Sequence, residues 1–178
     1  FTPLIQLEDD NGFILSRAEP YLAQTDQWQV GETTLLRVRL NVPAGTAPGR
    51  YPVRVAWVDR AADRYHAYQA ADGSMGGIWE TVGEITVDLP PSPLTDAPPI
   101  AVRADHEAAP GVTLLGWDEF PAQRRPGETL RLTFNWYAEN VPALPNQWRV
   151  RLGETVLADQ AFAYAPENWA RIGLYTQR

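Results

Sequence analysis

Cysteine and lysine are both missing from the 178 residues of this chain; methionine occurs once and histidine twice. Without cysteine there is no disulfide, no thiolate nucleophile and no ligand set for the common structural zinc sites. The same absence leaves the compartment open. All 15 basic residues are arginine, spread along the chain without forming a stripe, and the all-arginine usage reads as the compositional bias of a GC-rich genome. With 22 acidic residues the net charge is −7, which argues against nucleic acid and anionic membrane surfaces as partners. No apolar run approaches the roughly 18 residues of a membrane span, so the chain is not expected to insert. It shows no export leader and opens at Phe1 rather than Met, and is therefore expected to be a piece of a longer protein.

Hydrophobic residues make up 44 %, enough for a packed core. The 16 prolines and 13 glycines are scattered, as suits many short strands joined by turns. Period-two alternation recurs throughout and marks half-buried strands. Leu36, Val38, Leu40 and Val42 alternate with Arg37, Arg39 and Asn41. Tyr51, Val53, Val55 and Trp57 alternate with Pro52, Arg54 and Ala56. Ile85, Val87 and Leu89 form a third series; Leu130, Leu132, Phe134 and Trp136 a fourth; Trp148, Val150 and Leu152 a fifth. No segment carries a helical period.

The turns are legible. Asp9-Asp10-Asn11-Gly12 contains an Asn-Gly step, a strong hairpin signal. Residues 42–49 form a Pro/Gly crossover, and Arg125-Pro126-Gly127-Glu128 places proline second in a turn. Residues 90–111 hold six prolines and little alternation, which predicts a linker. The chain also repeats itself: Leu7, Gly12, Leu15 and Trp28 resemble Leu152, Gly153, Leu157 and Trp169. These signals divide it into the back of one repeat (1–89), the linker (90–111) and the front of the next (112–178). A half-sandwich exposes an apolar face and unpaired edges. The halves are therefore expected to complete one another, either within one chain or by exchange in a domain-swapped homodimer.

Residues 111–118 (GVTLLGWD), 125–137 (RPGETLRLTFNWY), 28–32 (WQVGE), 40–55 (LNVPAGTAPGRYPVRV) and 82–87 (VGEITV) resemble a repeated β-sandwich module of large bacterial membrane and surface proteins. Its pattern runs roughly LLGYD, PGETLRLTLYWQA, then W..GE and LPLPADLPPGRYRLRVGLYD. The module often follows the multi-spanning region of glycosyltransferases of the dolichyl-phosphate-mannose mannosyltransferase type. The resemblance covers most of the chain, in permuted order, and departs from the pattern after Trp148, where the usual long polar hairpin is missing. It implies an immunoglobulin-like antiparallel sandwich on the outer face of the membrane and no catalytic residue, because the transferase chemistry sits elsewhere in such proteins.

The expected fold is thus all-β, an immunoglobulin-like antiparallel sandwich with Greek-key-like crossovers. Its expected core is Val38, Leu40, Val53, Val55, Trp57, Ile85, Val87, Leu115, Leu132, Phe134, Trp136 and Val150. The expected function is that of an extracytoplasmic accessory or spacer module without cofactor or metal, working by contact with a protein or saccharide. Tyr65, His66, Tyr68 and Trp79 flank a segment rich in small residues (70–77) and are the candidate ligand-binding set for a carbohydrate-binding alternative. A hydrolase would need a base, a nucleophile and an orienting acid. His66 with Ser74 and Asp59 or Asp63 is the only arrangement on offer, and a surface loop is the favoured reading. His106 is expected to be a solvated linker residue. Glu8-Asp9-Asp10-Asn11-Gly12 is rich in oxygen ligands but lacks the spacing and closing glutamate of an EF-hand, and is read as a hairpin tip.

Overall fold

The structure is a computed structural model that describes the chain except for residues 21–24, 26, 27, 30, 71, 121, 122, 124, 126, 142–146 and 178. Among the described residues the chain is all-β, with antiparallel sheets and one short α-helix. It divides into two compact units. The first comprises Phe1–Pro43 and Gly49–Thr86, the second Ala44–Pro48 and Val87–Arg178.

The first unit is built on a five-stranded sheet. β1 (Thr2–Glu8) pairs with β2 (Ile14–Ala18) on one edge and with β3 (Gly49–Asp59) on the other. β4 (Arg64–His66) and β5 (Glu80–Val87) pair with β3. The β1–β2 hairpin turns where the Asn-Gly step predicts: the Gly12 N–H donates to Asp9 O at 2.9 Å, with Gly12 at φ 73°. Asp9 Oδ1 accepts the N–H groups of Asn11 and Phe13 at 2.9 and 2.8 Å. β1 is buried on both faces from Pro3 to Glu8. Leu4 and Leu7, on opposite faces, are fully buried, as befits the strand flanked by β2 and β3.

The phase of β3 differs from expectation. Ala56 and Val58 are buried, opposite Leu4 and Thr2, whereas Trp57 is 37 % exposed. Alternation in a strand identifies two faces but not which one is covered. More broadly, none of the twelve expected core residues belongs to the fully buried set. The apolar stripes lie half-buried on the sheets, and full burial goes to β1 and the C-terminal segment. Residues 33–42 also depart from expectation: their burial alternates, but they join no ladder. Among the described residues, the Asn41 N–H donates to Ser16 Oγ at 3.1 Å, a side-chain bond in place of a β bond.

The second unit holds a four-stranded sheet in the order β11 (Leu174–Gln177), β8 (Phe134–Ala138), β7 (Val112–Trp117), β6 (Val102–Ala109). β6 falls inside the proline-rich stretch 90–111 and carries His106 opposite Leu114. Only the end of the predicted strand 129–137 becomes β8. β9 (Gln147–Leu152) and β10 (Thr155–Ala161) form a separate hairpin. A 3-10 turn (Pro166–Asn168) leads into α1 (Trp169–Ile172), which ends at Gly173 with φ 78°. The core gathers Val112, Ala138, Trp169, Ile172 and Tyr175, with Trp136, Phe162 and Tyr164 packed against it. Trp169 is fully buried and its indole N–H donates to Tyr164 O at 2.9 Å. Its ring stacks on Tyr175 with centroids 4.7 Å apart and meets Phe162 edge-on at 4.8 Å. Ala44–Pro48 belongs to this unit: the Thr176 N–H donates to Gly45 O at 2.9 Å, and the Thr176 hydroxyl reaches Ala44 O and Asn135 Oδ1.

Candidate functional site

The four candidate ligand-binding residues begin on β4. Antiparallel pairing sets Tyr65 opposite Val58 and His66 opposite Trp57. Neighbouring residues of a strand point to opposite faces, so Tyr65 and His66 serve different surfaces. Tyr65 meets Trp79, their rings tilted at 46° with centroids 6.2 Å apart. Tyr65 is exposed and Trp79 half-buried. Tyr68 starts a tight hairpin: the Gly76 N–H donates to Tyr68 O at 2.9 Å, the Tyr68 N–H to Gly77 O at 3.2 Å, and the Ala70 N–H to Ser74 O at 2.9 Å. The segment 68–77 thus holds itself together by its own backbone, apart from Ala71, which lies outside the described residues. The Tyr68 ring packs flush on Gly76, where an added Cβ would stand 2.2 Å from Cζ. Tyr68 is therefore part of the hairpin's packing, and the Tyr65–Trp79 pair stands by itself.

His66 enters a different group. The Phe1 ring meets it edge-on, with centroids 4.9 Å apart, and Trp28 meets Trp57 edge-on at 6.5 Å. Phe1, Thr25, Trp28, Trp57 and His66 line a shallow cleft of about 270 Å³. His66 Nε2 is buried and has no hydrogen-bond partner among the described residues. Trp28 and Trp57 are each more than a third exposed. The sequence does not reveal this grouping, because its alternation places Trp57 in the core and the cross-strand register joining His66 to Trp57 is not written in any local pattern. The one available signal was the alternation that separates Tyr65 from His66.

The groups needed for hydrolysis have other occupations. Asp59 Oδ1 accepts the N–H groups of Ala61 and Ala62 at 3.0 and 3.1 Å, capping the β3–β4 turn. Asp63 sits in that turn at φ 47°. Ser74 donates both its N–H and its hydroxyl to Asp72 Oδ1, at 2.9 and 2.6 Å. The Ser74 hydroxyl, followed by the Ser74 N–H, holds the Asp72 carboxyl below the usual carboxylate range. At the β1 hairpin, Glu8 turns away from Asp9: its Oε2 pairs with Arg54 at 3.0 Å, and its Oε1 accepts from the Gln6 amide. Arg17 donates to Gln6 Oε1 at 3.0 Å. Arg17, Gln6 and Arg54 stand in one cross-strand row, so Gln6 and Glu8 form a buried polar seam.

The second unit has its own cleft, of about 340 Å³, between the inner residues of β7, β8 and β9 and the aromatic ring of Phe162. Family models, curated proteins and solved structures were compared with the chain, and none matches it.

Proposed function

We propose that this chain is a non-catalytic, immunoglobulin-like β-sandwich module of a larger bacterial membrane or surface protein, working on the outer face of the cell by contact. The observation that supports this reading most directly is how the candidate catalytic groups are used. Asp59 caps a turn, Ser74 is bound to Asp72, and His66 Nε2 is enclosed beside aromatic rings with no hydrogen-bond partner among the described residues. Nucleophilic catalysis requires nucleophile and base within hydrogen-bond reach of each other, and Asp59 and Ser74 are committed to local structure instead. The motifs at 111–118, 125–137 and 40–55 supply the resemblance to the extracytoplasmic module. Protease treatment of intact cells making the longer protein tests the location. Cleavage within this region before lysis is expected, and protection until lysis would overturn the outer-face assignment.

A second reading, saccharide recognition, draws on the exposed Trp28 and Trp57 rings. Rings of this kind offer apolar faces to the C–H faces of a sugar, with Thr25 as a polar neighbour in the cleft. A titration of intrinsic tryptophan fluorescence against cell-wall and exopolysaccharide sugars tests it. The controls are Trp57→Ala for one face of β4 and Trp79→Ala for the other. A saturable change lost in one variant places the sugar on that face. A flat response across the panel removes this reading and leaves the contact module.

A further inference from the structure

We infer that the edge of β9 away from β10 is a docking site for an extended strand of the β3 kind that carries an acidic residue in the place of Arg54. The internal repeat supplies the first step. Leu7, Gly12 and Leu15 have Leu152, Gly153 and Leu157 as counterparts, so the β9–β10 hairpin repeats the β1–β2 hairpin. β1 lies between β2 and β3 and is buried from Pro3 to Glu8. Among the described residues β9 pairs with β10 alone, and from Gln147 to Arg151 it alternates between exposed and half-buried. The two hairpins therefore differ by the strand on the far side of the first member. The other outer strands of this unit are blunted or covered. β6 and β10 each carry at least one extra residue where their register shifts, and such bulges protect an edge. β11 donates its Thr176 N–H to Gly45 O. Docking at β9 deepens the contact-module reading and rests on it, but it is read out in solution, apart from the outer-face assignment.

The register on β1 gives the chemistry of the occupant. β3 sets Val53 beside Leu7, Arg54 beside Gln6 and Val55 beside Ile5. Counted back from Leu152, the counterparts on β9 are Leu152, Arg151 and Val150. Residues directly opposite on neighbouring strands meet on one face. Valines alternating as in β3 therefore extend the apolar row of β9, whose Trp148 and Val150 border the cleft of about 340 Å³ with Leu114, Phe134 and Phe162. The polar row is reversed in charge. On β1 it holds Gln6 and Glu8 and receives Arg54, whereas on β9 it holds Arg149 and Arg151. Arg54 itself would oppose Arg151, and like charges directly opposite are destabilising. Asp159 and Glu154 pair with these arginines, but all four side chains are at least 40 % exposed and stay open to a further acid. A second copy of this chain does not supply the strand. Its β3 is already paired with β1, β4 and β5, and carries the wrong charge.

The test uses the full chain and two end-capped, fluorophore-labelled peptides: the sequence of Gly49–Asp59, and the same sequence with Arg54→Glu. By fluorescence anisotropy the Glu peptide is expected to bind saturably and about 2- to 5-fold more tightly than its Arg parent, the span of one cross-strand charge pair. Added salt should narrow that gap. Arg151→Glu in the chain, a change at an exposed position, should invert the preference. Hydrogen exchange in the complex should slow at residues 147–152. Absence of saturable binding by the Glu peptide overturns the inference. So does protection confined to other strands, or an unchanged preference in the Arg151→Glu chain. Self-association that protects residues 147–152 without peptide would give the edge to a second copy and overturn it as well.

Discussion

Arg54 reaches from β3 to the carboxylate of Glu8 on β1, with NH1 and Oε2 3.0 Å apart and the Glu8 side chain only 7 % exposed. The partners are unequal, because the guanidinium keeps contact with water while the carboxylate does not. Removing the cation therefore leaves a buried, charged acceptor with the Gln6 amide beside it.

Arg54→Met is accordingly expected to destabilise the fold by about 1–3 kcal/mol. Adding Glu8→Gln should restore part of that loss, because no buried charge is then stranded. Urea unfolding of the two single variants and the double variant gives the coupling. Simple additivity would show that the pair contributes nothing.

Trp28 and Trp169 occupy matching places in the sequence repeat, yet their burial is opposite: 39 % exposed against fully buried. Trp169→Ala removes a ring packed on Tyr175 and Phe162 and should cost about 3–5 kcal/mol. Trp28→Ala, at a partly exposed position, should cost under about 1 kcal/mol. Equal losses in denaturant unfolding would contradict the assigned environments.

Gly116 lies in β7 at φ 149°, and a Cβ there would stand 2.0 Å from the backbone oxygen of Val102. Backbone cannot give way as a flexible side chain can. Gly116→Ala should therefore disrupt the β6–β7 pairing and cost about 3 kcal/mol from combined clash and backbone strain. Hydrogen exchange should accelerate first at residues 102–109.

These cases show what the sequence made readable. The Asn-Gly turn and the strands at 51–59 and 148–152 follow from local pattern, because turn chemistry and alternation are local properties. The covered face of β3 did not, since Val53, Val55 and Trp57 alternate as well as Ala56 and Val58 do. Residues 33–42 carry strand alternation without strand pairing, because a ladder needs a partner edge that local sequence does not specify. At the site, the sequence marks Tyr65, His66, Tyr68 and Trp79 as residues. Their separation onto two faces, and the meeting of His66 with Trp57, depend on register between strands that are distant in sequence.

The Asp72–Ser74 contact provides a pH test. Ser74 lowers the Asp72 carboxyl from its ordinary range. A carboxylate depressed in the folded state stabilises the fold above its unfolded pKa, and that contribution disappears as pH falls through the folded value. Ser74→Ala should move the Asp72 midpoint upward toward the ordinary range in an NMR titration. The stability difference between the variant and the parent should be present at neutral pH and shrink in acid. An unchanged midpoint would mean that the contact is not populated in solution.

Light scattering bears on whether the two repeat portions complete each other within one chain. Ala44–Pro48, from the first portion, already supplies the acceptor for Thr176 near the C-terminus. The chain is therefore expected to elute as a 19.9 kDa species, and a stable species of twice that mass would favour exchange between two copies.

The route of the backbone through Ala44–Pro48 also dictates how the molecule can be dissected. The chain leaves the first unit after Pro43, supplies five residues to the second, and returns at Gly49. No single proteolytic nick can therefore release either unit intact, and no one expression boundary yields a complete copy of the second. A fragment beginning at Val87 has its Thr176 N–H without the Gly45 acceptor, while a fragment ending at Thr86 carries away a strap that belongs to its neighbour. A cut after Thr86 therefore makes two incomplete proteins. A reconstitution experiment should instead supply residues 44–48 as a free peptide or graft them onto the second unit.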